Sequence, residues 1–157
     1  MGFDLYGTAA LSAEGEYFRN NVWWWRPLWD YICDICNDFL TAKDMNKGGY
    51  NNGDTISKTK ALKIVKRIKK HHKSGKLDEY AVNYKHELSK LPDSDCDICN
   101  GTGKRKSIPE RGAGNIHCNG CDGKGKQQNW GKSYPFDVDN VLEFATFAEN
   151  SGGFQIC

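Results

Sequence analysis

At 157 residues the chain is long enough for one ordinary domain with a core of its own, so it does not need a metal merely to fold. A hydrophobic fraction of 38% and a mean hydropathy of -0.71 go with the lack of any run near the roughly 20 apolar residues of a helical membrane span, which excludes that class. The net charge of +2 hides an uneven distribution: residues 1–54 carry net -4, residues 55–90 hold 11 basic and 3 acidic side chains for net +8, and residues 91–157 carry net -2.

The opening Met1-Gly2-Phe3-Asp4-Leu5-Tyr6 lacks the basic and apolar regions of a secretory signal, and Tyr6 stands where a myristoylation site needs Ser or Thr. A cytoplasmic protein is therefore expected. The first helix is predicted near 27–42, with Pro27 in its first turn and an apolar stripe of Trp25, Leu28, Trp29, Ile32, Cys33, Cys36, Phe39 and Leu40. Residues 44–54 read as a loop. A calcium loop there is rejected, because Thr55 stands where a bidentate Glu is needed.

A second helix is predicted over 57–74, capped by Ser57 and striped by Ala61, Ile64, Val65 and Ile68. A third follows over 77–91, striped by Leu77, Tyr80, Ala81, Tyr84, Leu88 and Leu91 and ended by Pro92. Glycine, cysteine and charge then replace helical periodicity over 93–126. A last helix, capped by Asp137 or Asp139, falls in 127–157. The expected fold is thus mainly α: about four helices, a helical core over 1–92 completed by 127–157, and a zinc-knuckle or β-hairpin insertion at 93–126.

Six of the seven cysteines form Cys-x-x-Cys pairs: Cys33/Cys36, Cys96/Cys99 and Cys118/Cys121. In a reducing compartment such pairs point to metal or thiol chemistry rather than to disulfides. The last two pairs sit in a duplicated pattern, Cys96-Asp-Ile-Cys99-Asn-Gly101-Thr-Gly103 and Cys118-Asn-Gly-Cys121-Asp-Gly123-Lys-Gly125. Two thiolates three residues apart grip one ion only if the backbone curls tightly, and glycines after the second Cys allow the positive φ this needs. One knuckle supplies two ligands and two complete a tetrahedral set, so one structural zinc held by Cys96, Cys99, Cys118 and Cys121 is predicted. His117, adjacent to Cys118, is the competing ligand and reads better as an exposed neighbour.

These repeats resemble the cysteine-rich zinc finger of DnaJ-type co-chaperones, which carries four C-x-x-C-x-G-x-G repeats and two zinc ions. Here there are two repeats over 96–125, which implies one ion. No His-Pro-Asp tripeptide occurs, so the J-domain and its co-chaperone activity do not carry over. The resemblance implies a rigid zinc hairpin that contacts other polypeptides. The opening Met1–Gly7, the run Gly15–Tyr31 and the ending Asn150–Cys157 also resemble small proteins of bacteria and phages. That resemblance implies no named activity and makes a phage-encoded modulator of a host protein one reading, acting in the host cytoplasm.

Cys33 and Cys36 lie in mid-helix on the apolar stripe, where no helix N-terminus lowers a thiol pKa, so buried structural cysteines are expected rather than a redox pair. A second metal site from Cys33, Cys36 and Cys157 lacks a fourth ligand. Three adjacent tryptophans cannot all face one core, which makes Trp23 and Trp24 candidate partner anchors. The basic run over 58–76 offers Lys63, Lys66, Arg67 and Lys70 as candidate phosphate contacts, or simply a solvated helix face. No phosphate-cradling loop, H-E-x-x-H motif or nucleophile elbow is present, so no catalytic residue is assigned. The expected function is a zinc-binding, non-catalytic interaction protein whose favoured partner is another protein. Nucleic acid bound by the basic helix is the alternative, and a thiol or metal enzyme comes third.

Overall fold

The computed structural model describes residues 2–157. In chain order these form β1 (Gly2–Gly7), β2 (Tyr17–Asn21), α1 (Val22–Ile35), α2 (Ala42–Lys47), β3 (Asp54–Ser57), α3 (Lys58–Lys73) and α4 (Lys76–Lys90). Four two-residue strands follow: β4 (Ser94–Asp95), β5 (Lys104–Arg105), β6 (Ile116–His117) and β7 (Lys126–Gln127). Then come α5 (Val138–Asn150) and β8 (Gly153–Ile156).

The expectation of a mainly α fold with four helices is wrong. The described residues hold five α-helices and a four-stranded antiparallel sheet, 46% helix and 18% strand, which is an α/β mixture. The sheet order is β2-β1-β8-β3. Its central pair joins segments about 150 positions apart, with Leu5 opposite Ile156 and Gly7 opposite Phe154. Each strand alternates in the sense a one-sided sheet requires. Phe3, Leu5, Ile56, Phe154 and Ile156 are buried, whereas Tyr6, Tyr17, Arg19 and Thr55 are exposed. With only two or three apolar residues per strand, the period-2 signal is too short to stand out against the helical stripes.

The chain divides into two compact units. One runs up to His86 and resumes over Tyr134–Cys157; the other is Glu87–Ser133. The first holds the apolar core. Trp25 is fully buried, stacked on Phe3 and on Trp29 with ring centroids 5.3 Å apart in each case. Phe144 meets Phe154 edge-on at 5.6 Å, and α3 contributes Ala61, Ile64, Val65 and Ile68. Each large side chain so buried contributes about 1.5–3 kcal/mol.

The first helix starts at Val22, before the expected Pro27. The Asn21 side chain accepts hydrogen bonds from the Trp23 and Trp24 N–H groups at 3.0 and 3.1 Å, and this cap sets the start. The expected loop at 44–54 is partly helical, because Thr41 and Asp44 form a reciprocal capping box that nucleates α2. Asp44 is also the buried anion of this unit. Lys60 on α3 and Lys47 both pair with it, Lys47 at 3.2 Å. Burial alone would raise the Asp44 carboxyl, but hydrogen bonds from Lys60, Thr41 and Lys47 outweigh it and hold the group well below the usual carboxylate range.

Candidate metal centre

Each C-x-x-C-x-G-x-G repeat folds into the same small device. In the first, Asn100, Gly101 and Gly103 take φ of 52°, 78° and 76°; in the second, Asp122, Gly123 and Gly125 take 51°, 70° and 74°. The curl is closed by the Gly101 N–H donating to the Cys96 carbonyl at 3.1 Å and by the Gly123 N–H donating to the Cys118 carbonyl at 3.0 Å. The last glycine of each repeat then turns its N–H onto a sulfur. Gly103 N lies 3.3 Å from Cys99 Sγ and Gly125 N lies 3.2 Å from Cys121 Sγ.

The two knuckles interlock about a local pseudo-twofold relation. Cys96 N–H donates to the Gly125 carbonyl at 2.9 Å, and Cys118 N–H donates to the Gly103 carbonyl at 3.0 Å. The antiparallel strand pairs β4–β7 and β5–β6 flank them. A side chain at Gly103 would meet the Gly123 carbonyl at 2.2 Å, and one at Gly125 would meet the Gly101 carbonyl at 2.2 Å. Both positions thus require glycine twice over, for the left-handed backbone and for the close approach.

This interlocking brings the four sulfurs within 4.8 Å of one another, all four cysteines buried. Across the knuckles, Cys96 Sγ lies 3.8 Å from Cys118 Sγ, and Cys99 Sγ lies 3.7 Å from Cys121 Sγ. Those separations are far beyond a disulfide's ~2.05 Å, and all four thiols are free. Cys96, Cys99, Cys118 and Cys121 could bind one metal ion. Among the described residues no other group of three or more His, Cys, Asp or Glu side chains is placed to do so.

The four sulfurs affect one another's ionisation. Burial raises the Cys99 thiol, but the Gly103 N–H and hydrogen bonding from Cys96, Cys121 and Cys118 outweigh it and bring the group down to about 7. Burial, reinforced by neighbouring sulfurs against the pull of the Gly125 N–H, pushes Cys121 up to about 11. Without a positive ion, Cys99 and Cys121 do not ionise together at neutral pH. The apolar interior of this unit is these four cysteines with Ile98 packed against them.

The other sequence candidates are placed differently. His117 is an exposed neighbour, its Nε2 3.4 Å from Asp122. Cys33 is half-buried on α1 and Cys36, which caps its C-terminus, is buried; burial pushes both thiols up to about 12, which leaves them unreactive at neutral pH. Cys157 shares two backbone hydrogen bonds with Asp4, each 2.8 Å. Trp23 and Trp24 are half-buried, and Trp23 packs on Tyr134 with ring centroids 4.8 Å apart.

Lys63, Lys66, Arg67 and Lys70 are brought together. They line one cleft of α3 with Asp38 and Phe39. The sequence reading missed Phe39 and Asp38 as members of that cleft; it places Phe39 on the apolar stripe and Asp38 on the opposite face of the first helix, and neither position points to α3. It also missed a hollow in the Glu87–Ser133 unit, about 310 Å³ in volume, lined by Arg105, Ile108, Ile116, His117 and Asn119 among others. Among the described residues no helix is long and apolar enough to cross a membrane. No protein-family model, curated protein or solved structure matches this chain.

Proposed function

We propose that the chain is a zinc-binding, non-catalytic interaction protein whose Glu87–Ser133 unit docks onto another protein. The sulfur geometry carries the metal half of this reading. Four thiolates at Zn–S of about 2.3 Å in a tetrahedron have edges of about 3.8 Å. The cross-knuckle separations of 3.8 and 3.7 Å fit that edge, and two backbone N–H groups aimed at sulfur offset the negative charge of a tetrathiolate. An all-cysteine zinc leaves no open position for water or substrate, so its role is to hold shape.

The surface beyond the metal supports a protein partner. Ile108 and Ile116 are 78% and 52% exposed at the rim of the hollow, while Arg105, with its side chain held by Asn119 Oδ1 at 2.8 Å, forms part of its wall. An apolar rim on a metal-stapled unit is a surface that gains by being covered. The likeness of the repeats to the DnaJ-type finger agrees with a polypeptide partner. A phage-encoded modulator of a host protein is one form such a chain would take.

Elemental analysis and native mass spectrometry of the purified protein should find one zinc per chain. A protein recovered with the intact chain from native lysate should be lost when Ile108 and Ile116 are both replaced by Asp. Absence of zinc, or two ions, overturns the metal assignment. Recovery that survives the double substitution but disappears on nuclease treatment overturns the protein-partner assignment.

A further inference from the structure

The exposed face of α3 carries Lys63, Lys66 and Lys70 in one row at helical steps of three and four, about 10 Å from end to end at 1.5 Å per residue. Arg67 belongs to the same cleft but is already engaged. Its guanidinium holds both Asp38 oxygens, at 3.0 and 2.8 Å, and also donates to the Ile35 carbonyl. Arg67 and Asp38 therefore cancel each other's charge and fix the cleft wall. Lys69 and Lys60, on the flanks of the helix, are matched by Glu149 and Asp44.

The row itself is not matched. No carboxylate among the described residues forms an ion pair with Lys63, Lys66 or Lys70; Lys63 feels the Asp38 charge at longer range and lies over the Phe39 ring, 5.5 Å from its centroid, a ring that Arg67 also overlies at 5.8 Å. Like charges at these spacings repel along a helix, and the fold gains nothing from keeping three of them in line. The cleft they frame has a volume of about 340 Å³, with the half-exposed Phe39 ring among its lining. That size falls within the small-ligand range of about 300–1,000 Å³.

We propose that the cleft formed by Phe39 and the Lys63–Lys66–Lys70 row binds single-stranded nucleic acid, the lysines taking successive backbone phosphates and Phe39 taking the face of a base. Three features select this ligand. The cations form a line rather than a convergent cage, which suits a chain of single charges more than one compact polyphosphate. They are lysines, point charges that follow a backbone without demanding bidentate geometry, and the one arginine is spent on Asp38. An aromatic ring stands beside the charges, and a single strand presents an unstacked base next to every phosphate, whereas a duplex keeps its bases inside and an acidic peptide has none to offer.

The test uses the full-length, metal-loaded protein and a fluorescently labelled oligothymidylate, with anisotropy read across a series of salt concentrations. Three phosphate contacts to a single strand give a log–log salt slope of about -2. Replacing Lys66 and Lys70 together with Gln should weaken binding by at least about tenfold at low salt and bring the slope to about -0.7, that of one contact. Phe39→Leu should weaken binding several-fold and leave the slope unchanged, since it removes a stacking face and no charge. The control pair Lys43→Gln and Lys85→Gln, exposed lysines outside the cleft, should bind as the parent does. Circular dichroism confirms that each variant is folded. No measurable binding by the parent, or equal weakening by the control pair, overturns the site. Tighter binding of a duplex of the same length overturns the single-strand assignment, and equal binding of labelled polyglutamate overturns the nucleic-acid assignment.

Discussion

The two units of this chain solve the same problem by different means. The unit built from the two ends of the chain buries a continuous cluster of aromatic and aliphatic side chains, from Phe3 to Ile156, and its polar interior is small: Asn20, Asp44 and Ser151. The Glu87–Ser133 unit buries four cysteines with Ile98 beside them, and its strands are two residues long. Burial at about 25 cal/mol per Å² stabilises the first without help. The second has too little apolar surface to offset the entropy of ordering its loops, and an ion bound by its four sulfurs would supply the difference. Stability is thus divided between one region held by burial and another that a metal ion on its four sulfurs would hold.

Metal removal should separate them most sharply. Structural zinc supplies on the order of 10 kcal/mol of apparent folding free energy in isolated zinc-finger peptides. A strong chelator, or Cys121→Ser, should therefore collapse the backbone resonances of 94–127 in an amide NMR spectrum while the α1, α3 and α5 amides keep their dispersion. Loss of far-UV helical signal on chelation would show that the apolar unit also leans on the metal.

A smaller effect probes the apolar unit through its one deeply buried anion. Asp44 titrates far below the unfolded carboxylate value of about 3.9, so its pairing with Lys60 and Lys47 contributes fully above roughly pH 5, begins to decline below about 4 and is lost only as the pH falls through the lowered folded value. Asp44→Asn should cost roughly 2–3 kcal/mol at pH 7, and the gap to the parent protein should narrow in acid. Urea melts at pH 7 and pH 3 check this; a gap that stays constant would remove Asp44 from the account. Zinc content should not change in this variant.

The smallest effect concerns the cysteines that are not ligands. Cys36→Ala removes a buried thiol at the C-terminal end of α1 and should cost about 1 kcal/mol in a denaturant melt. The metal-to-protein ratio should stay at that of the parent. A reduced ratio would make Cys36 a ligand and dissolve the division between the two units.

The four-cysteine cluster was legible because its information is local. Ligands three residues apart, followed by glycines at fixed offsets, specify a knuckle without reference to the rest of the chain, and Cys96, Cys99, Cys118 and Cys121 were read from spacing alone. The helices α3 and α5 were legible for a related reason, since Ala61, Ile64, Val65 and Ile68 repeat often enough to declare a face. The sheet was not legible. Phe3 and Leu5 alternate over too few residues, and their partners Phe154 and Ile156 lie at the far end of the sequence, where nothing local says they pair. Helix α2 was missed although its signal is present: Thr41 and Asp44 stand three apart, the spacing of a capping box. The grouping of Phe39 with the α3 lysines depends on how α1 ends, which spacing does not encode.

The pairing of β1 with β8 fixes an order of events at the ribosome. Strand β1 gains β2 on one side within a few residues, but its other neighbour, β8, is made only about 150 residues later. Closing so long a loop carries an entropy cost that grows as (3/2)RT ln n, repaid only when both edges meet. The knuckles at 96–103 and 118–125 are complete before β8 is made, so the cysteine unit can be finished while Phe3 and Leu5 still lack part of their cover. During synthesis the region with the larger core is the one left open longest, and its exposed strand is then a target for chaperones and for aggregation.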